Sequence, residues 1–151
     1  MEDQLIGWRI LSAVDLIQPG QYAKTRAQNW KSDYSLEFLM LEMMAQTGGL
    51  IVGAVKNFSG NVVFAKVENA EFFRPEAGGQ RPGELTIEAF AKDGVSDQGA
   101  WIDAHILSGE EKIASARLFL IDAGDLSGKG QSLTFHQEFL EYYQIRQKTN
   151  D

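Results

Sequence analysis

Glu42 stands inside an almost wholly apolar run, Phe38 to Val55, and that placement is the first chemical signal in the sequence. A carboxylate taken out of water has its pKa raised, and it can then give or accept a proton near neutral pH. The alternative is a buried or interface acid paired with arginine or backbone, since an unpartnered buried charge is costly. Gln46 follows four residues later and shares its helical face. It can orient Glu42, bond a ligand, or close the buried helix against a neighbouring sheet. The only two histidines, His105 and His136, lie far along the chain. There is no cysteine, which excludes a disulfide framework, a thiolate metal site and a cysteine nucleophile. No grouping of histidines with carboxylates suggests a metal site, and nothing implies a cofactor.

Those residues need elements to position them. The run that holds Glu42 belongs to a longer segment, Ser35 to Lys56, whose length and leucine and methionine content predict a helix. Asp33 or Ser35 can cap its start. Its apolar residues are spread around all sides, so the helix must be buried all round. Gly48, Gly49 and Gly53 weaken it but let another backbone come close. Met40, Met43 and Met44 read as core, with an adaptable ligand wall as the alternative.

Before the helix, Trp8 to Ile17 reads as a strand ended by Pro19-Gly20, and a short second strand is predicted around Tyr22 to Gln28. After the turn Ser59-Gly60-Asn61 the pattern becomes period two. Val63, Ala65 and Val67 should face one way. Leu85, Ile87, Ala89 and Ala91 alternate with polar residues, as do Ala100, Ile102, Ala104 and Ile106. Ala114, Ala116, Leu118 and Leu120 follow the turn Ser108-Gly109-Glu110. Such patterns mark half-buried antiparallel strands. Small alanines on one face leave room for something bulky, and the apolar helix fits that need. The expected architecture is α+β, an antiparallel sheet wrapped around one long central helix. The last segment, about 132–147, carries Phe135, Phe139, Tyr142 and Tyr143 at helical spacing and reads as a surface helix.

Composition narrows the function classes. At 151 residues, 44% hydrophobic and 23% charged, the chain suits a single globular domain spanning 1–151. A net charge of −7 with scattered Lys and Arg argues against nucleic acid and anionic membrane as partners. The start, Met1-Glu2-Asp3-Gln4, carries no secretory signal pattern, and the lack of cysteine fits a cytoplasmic setting. Phe38 to Val55 is long enough to span a bilayer, but Glu42 and Gln46 interrupt it, so a buried soluble helix explains it better.

The helix core reads Leu41-Glu42-Met43-Met44-Ala45-Gln46-Thr47-Gly48-Gly49, which resembles the E-A-x-A-Q-x-x-G central-helix motif of the FabA/FabZ-type β-hydroxyacyl-acyl-carrier-protein dehydratases. Ala70-Glu71-Phe72-Phe73-Arg74-Pro75 is similar to that family's A-K-F-R-R-P segment, and Gly83 matches the glycine of its following turn. The order and spacing agree from Glu42 to Ile121. The resemblance implies a hotdog fold and a dimer whose sheets join edge to edge, with acyl-thioester sites at the interface. The ligand would be an acyl chain on phosphopantetheine, carried by acyl carrier protein or coenzyme A. Glu42 matches the family's helix acid. Gln46, Phe72, Phe73, Arg74 and Arg81 are the substrate-binding candidates. Phe72 and Phe73 can line an acyl tunnel or fill the core, and Arg74 and Arg81 can dock a phosphate or carrier protein or be ordinary solvated arginines.

One departure is large. The family places a catalytic histidine in an H-F-P-G loop ahead of the helix, whereas the stretch between Gly20 and Glu42 has no histidine, proline or further glycine. Three functions follow as expectations. One is a dehydratase-like lyase lacking its histidine, which a histidine-bearing hotdog partner can complement in a heterodimer. Another is a non-catalytic acyl-binding subunit. The third is a thioesterase working through Glu42 as nucleophile or general base.

Overall fold

Ser35 caps the long helix, its hydroxyl accepting the backbone N–H of Phe38 at 3.2 Å. This satisfies one of the donors that every helix start leaves open. The helix, α1, spans Leu36–Val55. It ends with Asn57 in the left-handed region at φ 52° and the Phe58 N–H reaching back to Gly53 O at 2.8 Å. That six-to-one bond closes a helix end without a glycine, since asparagine tolerates this backbone. The computed structural model describes residues 9–28, 34–73, 83–122 and 137–145. Of the two candidate caps, Asp33 lies outside them.

Six strands surround one side of the helix: β1 Ala13–Gln18, β2 Tyr22–Ala27, β3 Val62–Phe72, β4 Leu85–Phe90, β5 Ala100–Ser108 and β6 Glu111–Asp122. They form one sheet in the order β1-β2-β4-β5-β6-β3, and every neighbouring pair is antiparallel. The alternation in β2, β4, β5 and β6 holds, with Ala23, Ile87, Ala89, Ile102, Ala104, Ala116 and Leu118 turned inward and buried. Helix α1 packs on that inner face against all six strands. Its run from Met43 to Gly53 is buried throughout, so its capacity to span a bilayer is spent on the sheet instead.

Gly48 shows how close the layers come. A Cβ there would sit 3.0 Å from Ile102 Cγ2 and 3.1 Å from Leu120 Cδ1. The glycine thus admits two sheet side chains, not the second backbone that was expected. Alongside it, Thr47 donates to Met43 O at 2.7 Å, and its oxygen lies 2.7 Å from Thr25 Oγ1 on β2. Because the only Thr47 proton is already committed, Thr25 is the donor in that second bond. At the far end, the Gly20 N–H bonds Ile51 O at 3.1 Å and ties the Pro19-Gly20 turn to the helix.

Three boundaries differ from the sequence expectation. Strand β1 begins at Ala13, since Ile10 to Ser12 approach the sheet without strand geometry, and Trp8 lies outside the described residues. In β3, Val63, Ala65 and Val67 do not share an inner face: the register with β6 shifts between Phe64 and Lys66. An extra residue at Ala65 reverses the alternation, leaving Ala65 exposed while Phe64 and Val67 pack against the core. The final helix, α2, is seen over Gln137–Tyr142, with the segment before it and Phe135 outside the described residues. It is not a purely surface element. Phe139 and Tyr143 are buried, their rings 4.7 Å apart, and Tyr143 donates to Leu11 O at 2.6 Å.

Candidate functional site

The first two turns of α1 are covered less well than the rest. Leu36, Leu41 and Glu42 are partly buried, Glu37 and Phe38 are exposed, and only Leu39 and Met40 are fully enclosed. Phe38 is 46% exposed and Tyr34 58%, and the two rings stack with centroids 5.0 Å apart. Phe38, Glu42 and Gln46 succeed one another at four-residue intervals, so they form one stripe along the helix. The stripe grades from open to closed: Phe38 exposed, Glu42 half-buried, Gln46 only 7% exposed.

Glu42 sits at the middle of that gradient. Its carboxyl is pushed above the usual carboxylate range, and the cause is desolvation by the surrounding apolar residues. No hydrogen bond or ion pair to a described residue offsets it. A carboxyl with this environment keeps its proton to higher pH and can deliver it to a bound group. The bland alternative, a structural acid satisfied by an arginine, finds no arginine beside it among the described residues. Gln46 lies buried one turn further along the helix.

The remaining candidates divide. Phe72 ends β3 opposite Ala114 and packs partly against the core, whereas Phe73 follows it at 44% exposure with its N–H bonded to Ile113 O. Arg74 and Arg81 lie outside the described residues. Met40, Met43 and Met44 are all buried core. His105 is on β5, and its neighbours Ala104 and Ile106 turn toward α1 while it turns to the opposite face. There its Nε2 lies 3.1 Å from Glu88 Oε1. The sheet therefore separates His105 from Glu42. His136 lies outside the described residues.

That outer face carries polar chemistry that sequence reading did not single out. Tyr22 on β2 donates its hydroxyl to Glu88 Oε2 at 2.5 Å, so Glu88 holds Tyr22 on one oxygen and His105 on the other. The Tyr22 hydrogen bond, helped by His105, keeps the Glu88 carboxyl below its ordinary value, while burial and Glu88 push the Tyr22 phenol well above its own. Phe90 lies against both rings, 5.0 Å from Tyr22 and 5.8 Å from His105. These residues come from three strands, and only the sheet register joins them.

No protein-family model and no curated sequence matches the chain. Solved structures do. One is the dehydratase heterocomplex ApeI:P from Xenorhabdus doucetiae, at 13% identity and TM-score 0.62, covering 82% of this chain and 89% of that one. Another is a hypothetical thioesterase with coenzyme A from Streptococcus pneumoniae TIGR4, at 14% identity and TM-score 0.56, covering 76% and 98%. A third is the uncharacterized protein PH1136 from Pyrococcus horikoshii, at 14% identity and TM-score 0.60, covering 83% and 95%. At such identities the likeness establishes the fold alone, and it agrees with the antiparallel sheet and packed helix described above: the chain has the hotdog fold.

Proposed function

We propose that this chain engages an acyl thioester along the thinly covered start of α1, as one half of a dehydratase-type site in which Glu42 is the acid. The observation that carries this reading is Glu42 itself: a half-buried carboxyl, raised by desolvation, on a helix stripe that opens at Phe38. Dehydration of a β-hydroxyacyl thioester needs a base for the α-proton and an acid for the departing hydroxide. A protonated Glu42 can supply the second proton, so that hydroxide leaves as water and an α,β-unsaturated thioester remains. Among the described residues no imidazole faces α1, so the base must come from elsewhere.

A histidine-bearing hotdog subunit is the partner this reading requires. Strand β3 lies at one edge of the sheet, with no strand on its outer side among the described residues. Pairing there would continue the sheet into a second subunit. The fold shared with a dehydratase heterocomplex and with a coenzyme A-bound thioesterase supports an acyl carrier of the phosphopantetheine class. Arg74 and Arg81 are proposed to dock its phosphate, with Phe72 and Phe73 beside the acyl chain and Gln46 orienting Glu42. The chain 1–151 would act as one domain, in the cytoplasm.

The test is mass spectrometry of acyl and β-hydroxyacyl thioesters, on carrier protein and on coenzyme A, with the chain alone and with a histidine-bearing hotdog subunit. Loss of one water only in the mixture, abolished by Glu42→Gln, is the expected result. Free acid from the chain alone, dependent on Glu42, would make it a thioesterase using the carboxylate on water. Thioesters that bind and return unchanged in both arms would make it an acyl-binding subunit.

A further inference from the structure

The outer face of the sheet, away from α1, holds a groove of about 500 Å³ lined by Asn69, Phe90, His105, Lys112, Ser115 and Arg117, among others. Register explains how it arises. Lys24, Glu88, His105, Ser115 and Glu71 stand directly opposite one another across β2, β4, β5, β6 and β3. In this row Glu88 fixes His105. An ionised carboxylate only accepts, so the Nε2 of His105 carries the proton that bonds it, and Nδ1 is left for another partner.

Donors with hydrogen-bonding capacity to spare line the same groove. Ser115 and Lys112 make no hydrogen bond or ion pair to any described residue. Arg117 lies 4.9 Å from the Trp101 ring and only 3.8 Å from Asp103, a contact too long to be a hydrogen bond, so its N–H groups stay available. Asn69 is brought in by a second irregularity of β3. Glu68 pairs with Arg117 and Glu71 with Ser115, so Asn69 and Ala70 together face Ala116. Asn69 takes φ 52°, a bulge geometry that re-aims a side chain, and it too has no partner among the described residues.

The charges alone do not favour an anion, since Glu88 touches His105 and Glu68 stands opposite Arg117. Lys92, Lys112 and Arg117 line the groove against Asp103 and Glu71, and Asp103 already lies 3.8 Å from both Lys92 and Arg117. The whole chain is acidic, at −7, so attraction has to come from placed donors and not from the overall field. A planar guanidinium fork, an amide, a hydroxyl and an imidazole nitrogen together suit a tetrahedral oxyanion that accepts from most of them. The Phe90 ring offers an apolar wall for a substituent on it.

We propose that this groove binds a phosphate group that keeps one P–OH, free or as the monoester of a small apolar alcohol, with Arg117 and Asn69 donating to its oxygens and its P–OH donating to His105 Nδ1. The site is separated from Glu42 by the sheet and is independent of the acyl-thioester reading.

Titration calorimetry with inorganic phosphate and with phenyl phosphate, alongside ¹⁵N spectra of the His105 ring, tests this on the full chain. Saturable binding that shifts the Nδ1 resonance is the expected result. Arg117→Gln should weaken it about ten-fold, the loss of one charge-assisted hydrogen bond. Arg117→Lys, which keeps the charge and loses the fork, should fall between the two, and this holds the test open if the Gln variant folds poorly. Tighter binding of phenyl phosphate identifies a monoester as the ligand, and equal binding identifies the free ion. No Nδ1 shift, or an equal loss on removing the distant cation in Lys56→Gln, would overturn the proposal.

Discussion

From Met43 to Gly53 every residue of α1 is buried, whereas from Leu36 to Glu42 only two are. Both stretches are mainly apolar, and although only the first carries acids, Glu37 and Glu42, its Leu36, Phe38 and Leu41 are also left partly open, so composition alone does not set the difference. The sheet does: its small residues and the Thr25–Thr47 bond hold the later turns, while the earlier turns extend past its cover with Phe38 and Tyr34 outward. An apolar surface that the chain does not itself bury is the kind of surface on which the proposed thioester or subunit would dock. The buried stretch provides rigidity and the open stretch provides access, and Glu42 stands at their junction.

The strongest way to break that comparison is to loosen the buried stretch. Met44→Ala removes a fully enclosed side chain and should cost about 2–5 kcal/mol, read from the urea midpoint. A loss under about 1 kcal/mol would mean the helix repacks freely and the contrast is overstated.

The threonine pair gives a smaller and more pointed test. Thr47→Val strands the Thr25 proton in the core and should cost about 1–3 kcal/mol, while Thr25→Val removes a donor and leaves only an acceptor unfilled, a lesser cost. The double variant should cost less than the two singles added, since both ends of the bond are then gone. Additive losses would show that the bond does not join helix to sheet.

Glu42 sharpens the junction itself. Burial holds its folded-state pKa above its unfolded value, so the folded chain binds the proton more tightly. Stability is then greatest below the unfolded value of about 4.3, declines as pH rises toward the folded-state value, and stays lower above it. Glu42→Gln should remove that decline in denaturation curves taken from about pH 4 to about pH 8. Parallel pH profiles for both proteins would place a partner beside the ionised carboxylate.

The least effect is expected at Phe38. Phe38→Ser should change the stability of the isolated chain by no more than about 1 kcal/mol, because nearly half of the residue is in water already. The same change should weaken thioester or subunit binding, and a large loss of stability would place Phe38 in the core instead.

Much of this architecture was legible in the chain. Helix bounds, the Ser35 cap and the inward alanines follow from local patterns, because capping and periodicity act over a few residues. What sequence did not disclose depends on register or distance. The extra residue at Ala65 is invisible to a period-two reading until the partner strand is known. Burial of Tyr143 depends on Leu11, at the other end of the chain. The Tyr22–Glu88–His105 cluster draws on three strands that only pairing brings together. Glu42 and Gln46 were found because their polar character interrupts an apolar helix, a contrast that needs no tertiary knowledge.

Strand β3 is interrupted twice, near Ala65 and again at Asn69-Ala70. Each interruption twists the edge and breaks the even spacing of its outward N–H and C=O groups, so no long straight run remains for a foreign strand to copy. Lys66 and Glu68, set between the two, add charges that an intruding β-segment would have to accommodate. An open edge of eleven residues is ordinarily an invitation to fibrous stacking. Here the irregular edge, open among the described residues, discourages open-ended growth by offering no even ladder to extend.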